Sequence, residues 1–167
     1  EQNVYVWRPL LPLVWKYIWF IGGGSPFPFR MFTALLHALA TLCVLWVGRQ
    51  FIDKEMVLWM TGLLFAVHAI HSEALGSIVS QADILSTILG LAALRFALGP
   101  QRSLQPFLVG SLLLLACLAK ETAVVSCIIV AILPLFSQNR SLRQLLCVSL
   151  PGATMAVTIT LVQLLID

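Results

Sequence analysis

Long apolar segments separated by short polar loops run through almost the whole of the 167-residue chain. Hydrophobic residues make up 60% of the sequence and charged residues only 10%, whereas a soluble domain has about 25% charged residues. We therefore predict an all-α, polytopic transmembrane helical bundle embedded in a lipid bilayer. The net charge of +3 is spread over the loops without forming a basic stripe, so a nucleic-acid partner is not expected.

Six of the apolar segments are predicted to span the membrane, although several are shorter than the roughly 20 residues that a span needs. They cover approximately residues 31–47, 56–69, 84–98, 104–119, 122–136 and 145–166. An earlier apolar stretch, residues 10–21, is too short to cross and is rich in Trp, Tyr and Lys. These residues favour the membrane–water interface, so we predict an interfacial helix there, ended by the Gly- and Pro-rich residues 22–29.

Alternation of the loops sorts the polar residues between the two membrane faces. The loops at residues 49–55, 99–105 and 137–144 share one face, and their modest excess of Lys and Arg predicts that this face is cytosolic. The opposite face receives most of the ionisable groups that lie in mid-chain. Among these are His68, His71, Glu73, Asp83, Lys120 and Glu121.

Four of those ionisable residues lie within one apolar stretch, residues 63–91, where each charge is costly in hydrocarbon. A metal site is disfavoured, because Glu73 follows His68 by five residues and would point about 140° away on a continuous helix. Acid–base chemistry or binding of a polar substrate is a second interpretation. Glu73 and Asp83 lie about 15 Å apart on an unbroken helix, so they converge only if the chain bends, for which Gly76 and Ser77 are suitable residues.

A structural interpretation of the same residues stays open. The four side chains could belong to a solvated loop between two helices, with Asp83 capping a helix that starts at Ile84. A transporter is another alternative, because intramembrane ionisable residues also mark transport pathways. A non-catalytic membrane scaffold is a third. We find no convincing internal repeat of the kind that many transporters carry.

The stretch "FAVHAIHSEALGSIVSQADIL" (residues 65–85) resembles the signature of the transmembrane O-mannosyltransferases targeting cadherins. That family's pattern reads approximately F-A-V-H-P-I-H-T-E-A-V, followed by V-G-R-A-D-L-L. Three other stretches also resemble family motifs: "WRPLLPL" (7–13), "PFRMFTALLHAL" (28–39) and "LAKETAVV" (118–125). Their order and spacing agree across nearly the whole chain, so the combined resemblance is specific.

The resemblance implies a C-type glycosyltransferase fold in the endoplasmic reticulum membrane, with about six spans plus one interfacial helix. Residues 1–167 would be part of its transmembrane domain. The substrate would be dolichyl-phosphate mannose, with no other cofactor, and mannose would pass to Ser or Thr hydroxyls of cadherin-like domains at the lumenal face. The first span, the acidic pair usually assigned as catalytic and the tetratricopeptide repeats are expected outside this chain. The catalytic base is thus expected upstream of Glu1, and the fragment is expected to be inactive alone.

Seven polar residues of the predicted lumenal face are expected to line the donor site, and no metal is expected. Arg8 and Lys120 would bind the donor phosphate, with Glu121 beside Lys120. Glu73 and Asp83 would orient sugar hydroxyls or position those cations. His68 and His71 would form hydrogen bonds with the donor or the loop.

The chain departs from the family pattern at four positions. Ala69 stands where the family has Pro, and Ser72 where it has Thr. Ser80 and Gln81 stand where Gly and Arg are usual. Loss of that arginine is expected to remove a bidentate partner for a phosphate or a carboxylate.

Overall fold

The computed structural model describes residues 10–100 and 103–132, together with positions 154, 157, 158 and 161. In this part of the chain every regular element is helical, which confirms the all-α prediction. The helices are α1 (Leu10–Gly22), α2 (Phe27–Gly48), α3 (Glu55–Val67), α4 (His71–Gly76), α5 (Gln81–Leu98), α6 (Gln105–Ala119) and α7 (Val124–Ile132), with a 3-10 turn at Glu121–Ala123 between α6 and α7.

Two of the described helices, α2 and α5, are long and apolar enough to cross a membrane. Helices α1, α3 and α6 are apolar but shorter, as is the segment Glu121–Ile132 that contains α7. The helix predicted at residues 10–21 is confirmed as a helix. The span predicted at residues 145–166 lies almost entirely outside the described residues.

Helix α5 lies at the centre of the fold and packs against α2, α6 and α7. Its alanines Ala93 and Ala97 are fully buried in a core shared with Val109 of α6 and Val130 of α7. Small residues let helix backbones approach closely, which is a common basis of helix packing in membranes. Gly90 of α5 extends this pattern, because a Cβ added there would collide with the side chain of Ser126 in α7.

Contacts at the helix termini fix the direction of each helix. The first turn of α5 meets the first turn of α2, and Phe96 near the end of α5 meets Trp46 near the end of α2. Helix α6 runs antiparallel to both, because Gln105 at its start bonds to the end of α5, while Lys120 after its end reaches Asp83. We call the end that contains residues 81–83 and Lys120 the polar end.

The first turn of helix α1 also lies at the polar end. Its buried Leu11 packs with Ala82 of α5 and Ala119 of α6. After α1 the chain turns at Gly23 and Gly24, which have φ values of 57° and 82°. Glycine adopts this left-handed conformation without the steric cost of a Cβ, so the glycines at residues 22–24 end the helix as the sequence predicted.

Candidate functional site

A break between α6 and α7 directs Lys120 towards the start of α5. Lys120 has an extended backbone, with φ −157° and ψ 139°, between the end of α6 and the 3-10 turn. Its ammonium group forms a hydrogen-bonded ion pair with the Oδ1 atom of Asp83. The Lys120 side chain is 19% exposed and the Asp83 side chain 47% exposed. The polar end therefore holds a largely covered cation beside a carboxylate that remains accessible to a ligand.

The alternative prediction that Asp83 caps a helix starting at Ile84 is wrong. Helix α5 begins at Gln81, and its N-cap residue Ser80 makes no side-chain capping bond. The Ile84 amide bonds to the Ser80 carbonyl within the helix, which leaves the Asp83 carboxylate free to pair with Lys120. A carboxylate in the first turn is also favoured by the helix dipole.

The bend that the sequence predicted at Gly76 and Ser77 is confirmed. Helix α4 ends at Gly76, and Ser77 is extended, with φ −110° and ψ 129°. Glu73 and Asp83 thus lie on different helices. Glu73 is exposed, and no hydrogen bond or ion pair of its carboxylate is found in the described part of the chain. The structure therefore places Glu73 among residues 68–73, at the junction of α3 and α4, which we call the polar turn. It does not join Glu73 to Asp83 or Lys120.

Three histidines and Phe65 form a cluster of rings at the junction of α3 and α4. The His71 ring centroid lies 4.5 Å from that of Phe65 and 5.1 Å from that of His37, and His68 lies 6.3 Å from His71. The Nε2 atom of His37 is 3.1 Å from the Ala66 carbonyl oxygen, a contact in which Nε2–H donates. The imidazole rings meet at steep angles, 52° between His37 and His71 and 72° between His68 and His71. No set of three side chains that could hold a metal is found among the described residues.

His37 was missed as a site residue because it lies inside a predicted span. It stands ten residues into α2, about 15 Å from the first residue of that helix. Helix α3 ends at Val67, and the carbonyl of its Ala66 contacts His37, so α3 reaches only this level of α2. The polar turn that follows therefore lies beside the middle of an apolar helix. The signals available in the sequence were an ionisable group in an apolar run and the family motif that contains this histidine.

Glu121 and Arg8 are the two remaining predicted site residues. Glu121 is the first residue of the 3-10 turn and is half-buried directly after Lys120. Arg8 lies outside the described residues, so its expected role in binding phosphate stays a prediction. The structure thus brings Asp83 and Lys120 together, and places the histidines and Glu73 on the neighbouring turn.

The side chain of Gln81 joins three helices in the interior of the polar end. Its Oε1 atom accepts a hydrogen bond of 2.8 Å from the Trp15 indole of α1. Its Nε2 atom donates to the Phe29 carbonyl at 3.1 Å and to the Thr33 hydroxyl at 2.7 Å, both in α2. Gln81 is fully buried. In this chain the position where the family usually has arginine therefore holds α1, α2 and α5 together, a role that the sequence did not predict.

Burial and the neighbouring imidazoles of His37 and His68 lower the pKa of His71 below its ordinary value. The folded state then disfavours protonation of His71, so stability is complete at pH values above the ordinary histidine pKa and falls as the pH drops below it. We expect the unfolding temperature to fall between about pH 7.5 and about pH 5.5. His71→Gln should make this decline shallower, as measured by thermal unfolding at each pH. An unchanged pH profile in His71→Gln would contradict the assignment.

Comparison with known proteins identifies relatives over most of the chain. It is 35% identical over 162 residues to Protein O-mannosyl-transferase TMTC1 of Homo sapiens, which covers 84% of this chain and 18% of that protein. It is 35% identical over 124 residues to Protein O-mannosyl-transferase Tmtc1 of Drosophila melanogaster, with 71% of this chain and 14% of that protein covered. For Protein O-mannosyl-transferase Tmtc2 of the same organism the identity is 33% over 136 residues, with 75% and 14% covered.

These matches agree with the family whose motifs the sequence resembles. No family model matches the chain, and no solved structure matches it. The chain spans less than a fifth of the length of the curated relatives described above. By sequence, the chain is homologous to the TMTC protein O-mannosyl-transferases over most of its own length and over a small segment of theirs.

Proposed function

We propose that this chain forms part of the membrane domain of a protein O-mannosyltransferase with a C-type glycosyltransferase fold. In this proposal about six spans and the interfacial α1 lie in the endoplasmic reticulum membrane, with the polar end at the lumenal face. The donor is dolichyl-phosphate mannose and the acceptor is a Ser or Thr hydroxyl of a cadherin-like domain. The observation that carries the proposal is the Asp83–Lys120 ion pair beside a polar turn within an otherwise apolar bundle.

A lipid-linked sugar phosphate matches this arrangement of polar and apolar surface. Its isoprenoid chain can lie along the exposed apolar faces of α2 and α3, which include Leu35, Leu39, Leu63 and Leu64. Its phosphate then meets the Lys120 ammonium, and its sugar meets the turn that carries His71 and Glu73. An ammonium group beside the phosphate attracts it, and the attraction is strong where water is excluded.

The proposed reaction is a displacement at the anomeric carbon of mannose. The acceptor hydroxyl oxygen forms a bond to that carbon, and the bond from the carbon to the phosphate oxygen breaks with its electron pair remaining on the phosphate. The hydroxyl proton passes to a carboxylate base, which we expect outside this chain. Lys120 stabilises the charge that develops on the phosphate. Asp83 positions Lys120, Glu73 orients sugar hydroxyls, and Arg8 is proposed as a second cation for the phosphate.

Substitutions of the two carboxylates test this assignment in the full-length protein. We expect Glu73→Gln to lower mannose transfer by about tenfold or more without changing stability, because its carboxylate is exposed and forms no bond within the described chain. Asp83→Asn should lower both transfer and stability, because it releases Lys120. Transfer from dolichyl-phosphate mannose is measured in microsomes and normalised to folded protein.

The matched control for these variants is Glu55→Gln, which changes an exposed carboxylate at the opposite end of the bundle. It should transfer mannose at the wild-type rate. Wild-type rates in both Glu73→Gln and Asp83→Asn would mean that these carboxylates serve only the loop and the fold, and the proposed site would then be abandoned.

The proposed orientation predicts which loops accept N-linked glycans. Gly23→Asn creates an acceptor sequence with Ser25, and the site is open, since no atom lies within 4 Å of a Cβ added at Gly23. Asn tolerates the left-handed backbone found there. Gln101→Asn creates a second acceptor sequence with Ser103 in the loop 99–105. We expect a glycan only on the Gly23→Asn variant, detected as a gel shift that endoglycosidase reverses. A glycan on the Gln101→Asn variant alone would show that the membrane orientation is the opposite of the one proposed.

A further inference from the structure

A cavity of about 580 Å³ lies at the end of the bundle opposite the polar end. It is bounded by the last turns of α2 and α5 and by the first turns of α6. The described part of its lining includes Trp46, Arg95, Phe96, Ser103 and Leu108 and holds no carboxylate. Arg95 lies twelve residues after Asp83 on α5, about 18 Å away along the helix axis. The cavity is therefore separate from the proposed mannosyl-transfer site.

Among the described residues that line this cavity, only Arg95 carries a charged group, its guanidinium. It lies over the Trp46 ring, with its central carbon 5.2 Å from the ring centroid. Within the described part of the chain, its buried Nε atom has no hydrogen-bond partner, and no carboxylate forms an ion pair with the guanidinium. A cation–π contact compensates only part of the cost of removing a cation from water. The described lining of the cavity thus presents a cation without a paired anion.

We propose that this cavity binds the phosphate group of a membrane phospholipid. The guanidinium binds the phosphate oxygens, for which its planar set of donors is well suited. One acyl chain of the lipid lies against Trp46, Phe96 and Leu108, whose side chains are all partly exposed.

The position of the cavity favours a lipid over a soluble anion. It lies where α2 and α5, the two described helices that are long and apolar enough to cross a membrane, both end. Phospholipid headgroups are concentrated at that depth of a bilayer, and tryptophan is enriched there. The cavity walls are mostly apolar, as an acyl chain requires and an inorganic phosphate does not.

Photo-crosslinking of the purified full-length protein tests the proposal, with phosphatidylserine that carries a photoreactive acyl chain as the probe. In the wild type we expect labelled peptides from residues 95–108. Arg95→Gln should reduce this labelling by about tenfold, the effect of losing charge-assisted hydrogen bonds. Ser103→Glu places a carboxylate in the cavity lining, where it can pair with Arg95, and should reduce labelling similarly. The matched control Arg49→Gln removes an exposed cation at the same end and should label normally.

Two further measurements separate the possible outcomes. Thermal unfolding of each variant shows whether a loss of labelling is due to a loss of the fold. If Arg95→Gln does not fold, Ser103→Glu provides the test, because residue 103 is exposed. Excess inorganic phosphate should leave the labelling unchanged. Labelling that persists in both Arg95→Gln and Ser103→Glu would overturn the proposal. Labelling that inorganic phosphate abolishes would instead indicate a site for a soluble anion.

Discussion

Replacing Lys120 with methionine is expected to lower mannose transfer by the full-length protein by about a hundredfold or more, the effect typical of losing one group that stabilises developing charge. Methionine keeps most of the length of the side chain but removes the cation that the proposal places beside the donor phosphate. The accompanying loss of stability should be only about 1 kcal/mol, because the Asp83 partner is 47% exposed and water screens the pair.

A charge-swapped variant separates the contribution of Lys120 to the fold from its contribution to transfer. In Asp83→Lys combined with Lys120→Asp, the ion pair can form again with its charges exchanged. We expect this variant to recover the thermal stability lost in Lys120→Met but not the transfer rate, because the cation no longer occupies its position after α6. Recovery of transfer together with stability would show that Lys120 acts through the fold alone.

Replacing Gln81 with alanine is expected to lower the free energy of unfolding by about 3 kcal/mol. The change removes three hydrogen bonds and leaves the Trp15 indole without its acceptor. It also opens a cavity in a position that is fully buried. The effect is measured as the shift in thermal unfolding relative to Gln50→Ala, which changes an exposed glutamine and should be nearly neutral.

Gln81→Arg tests the same network in the opposite direction, because it restores the residue that the family usually carries. The guanidinium has no atom that can accept a hydrogen bond from the Trp15 indole. In the described part of the chain, no carboxylate bonds to residue 81. We expect destabilisation of about 2 kcal/mol or more, typical of a buried charge without a partner. A Gln81→Arg protein as stable as the wild type would contradict the structural role assigned to Gln81.

The helices were predictable from the sequence where a long apolar run ends at a clear break. Helix α5 begins three residues before the predicted Ile84, because the turn at residues 78–80 starts it early, and it ends at Leu98 as predicted. The predicted span at 122–136 begins inside a 3-10 turn, Glu121–Ala123, which precedes α7. Apolar composition reports which segments avoid water, but local hydrogen bonding decides where each helix begins.

The candidate site was predictable where local sequence fixes the geometry, as at the bend of Gly76 and Ser77. The ion pair of Asp83 with Lys120 joins residues 37 positions apart. Loop alternation predicted that they share a membrane face, but not that they touch. His37 and Gln81 were missed because their contacts depend on how deeply α3 and α1 pack against α2. Such packing depth arises from tertiary contacts and leaves no periodic signal in one sequence.

Labelling with a photoreactive dolichyl-phosphate analogue tests the central claim most directly, because it reports where the donor phosphate binds in the full-length protein. We predict crosslinks to peptides from residues 68–83 and 118–125 at the polar end. These crosslinks should be lost in Lys120→Met, and excess dolichyl-phosphate mannose should reduce them by competing for the site. Specific labelling confined to other segments, such as residues 95–108 at the opposite end, would contradict the account, as would labelling at the polar end that is unchanged in Lys120→Met.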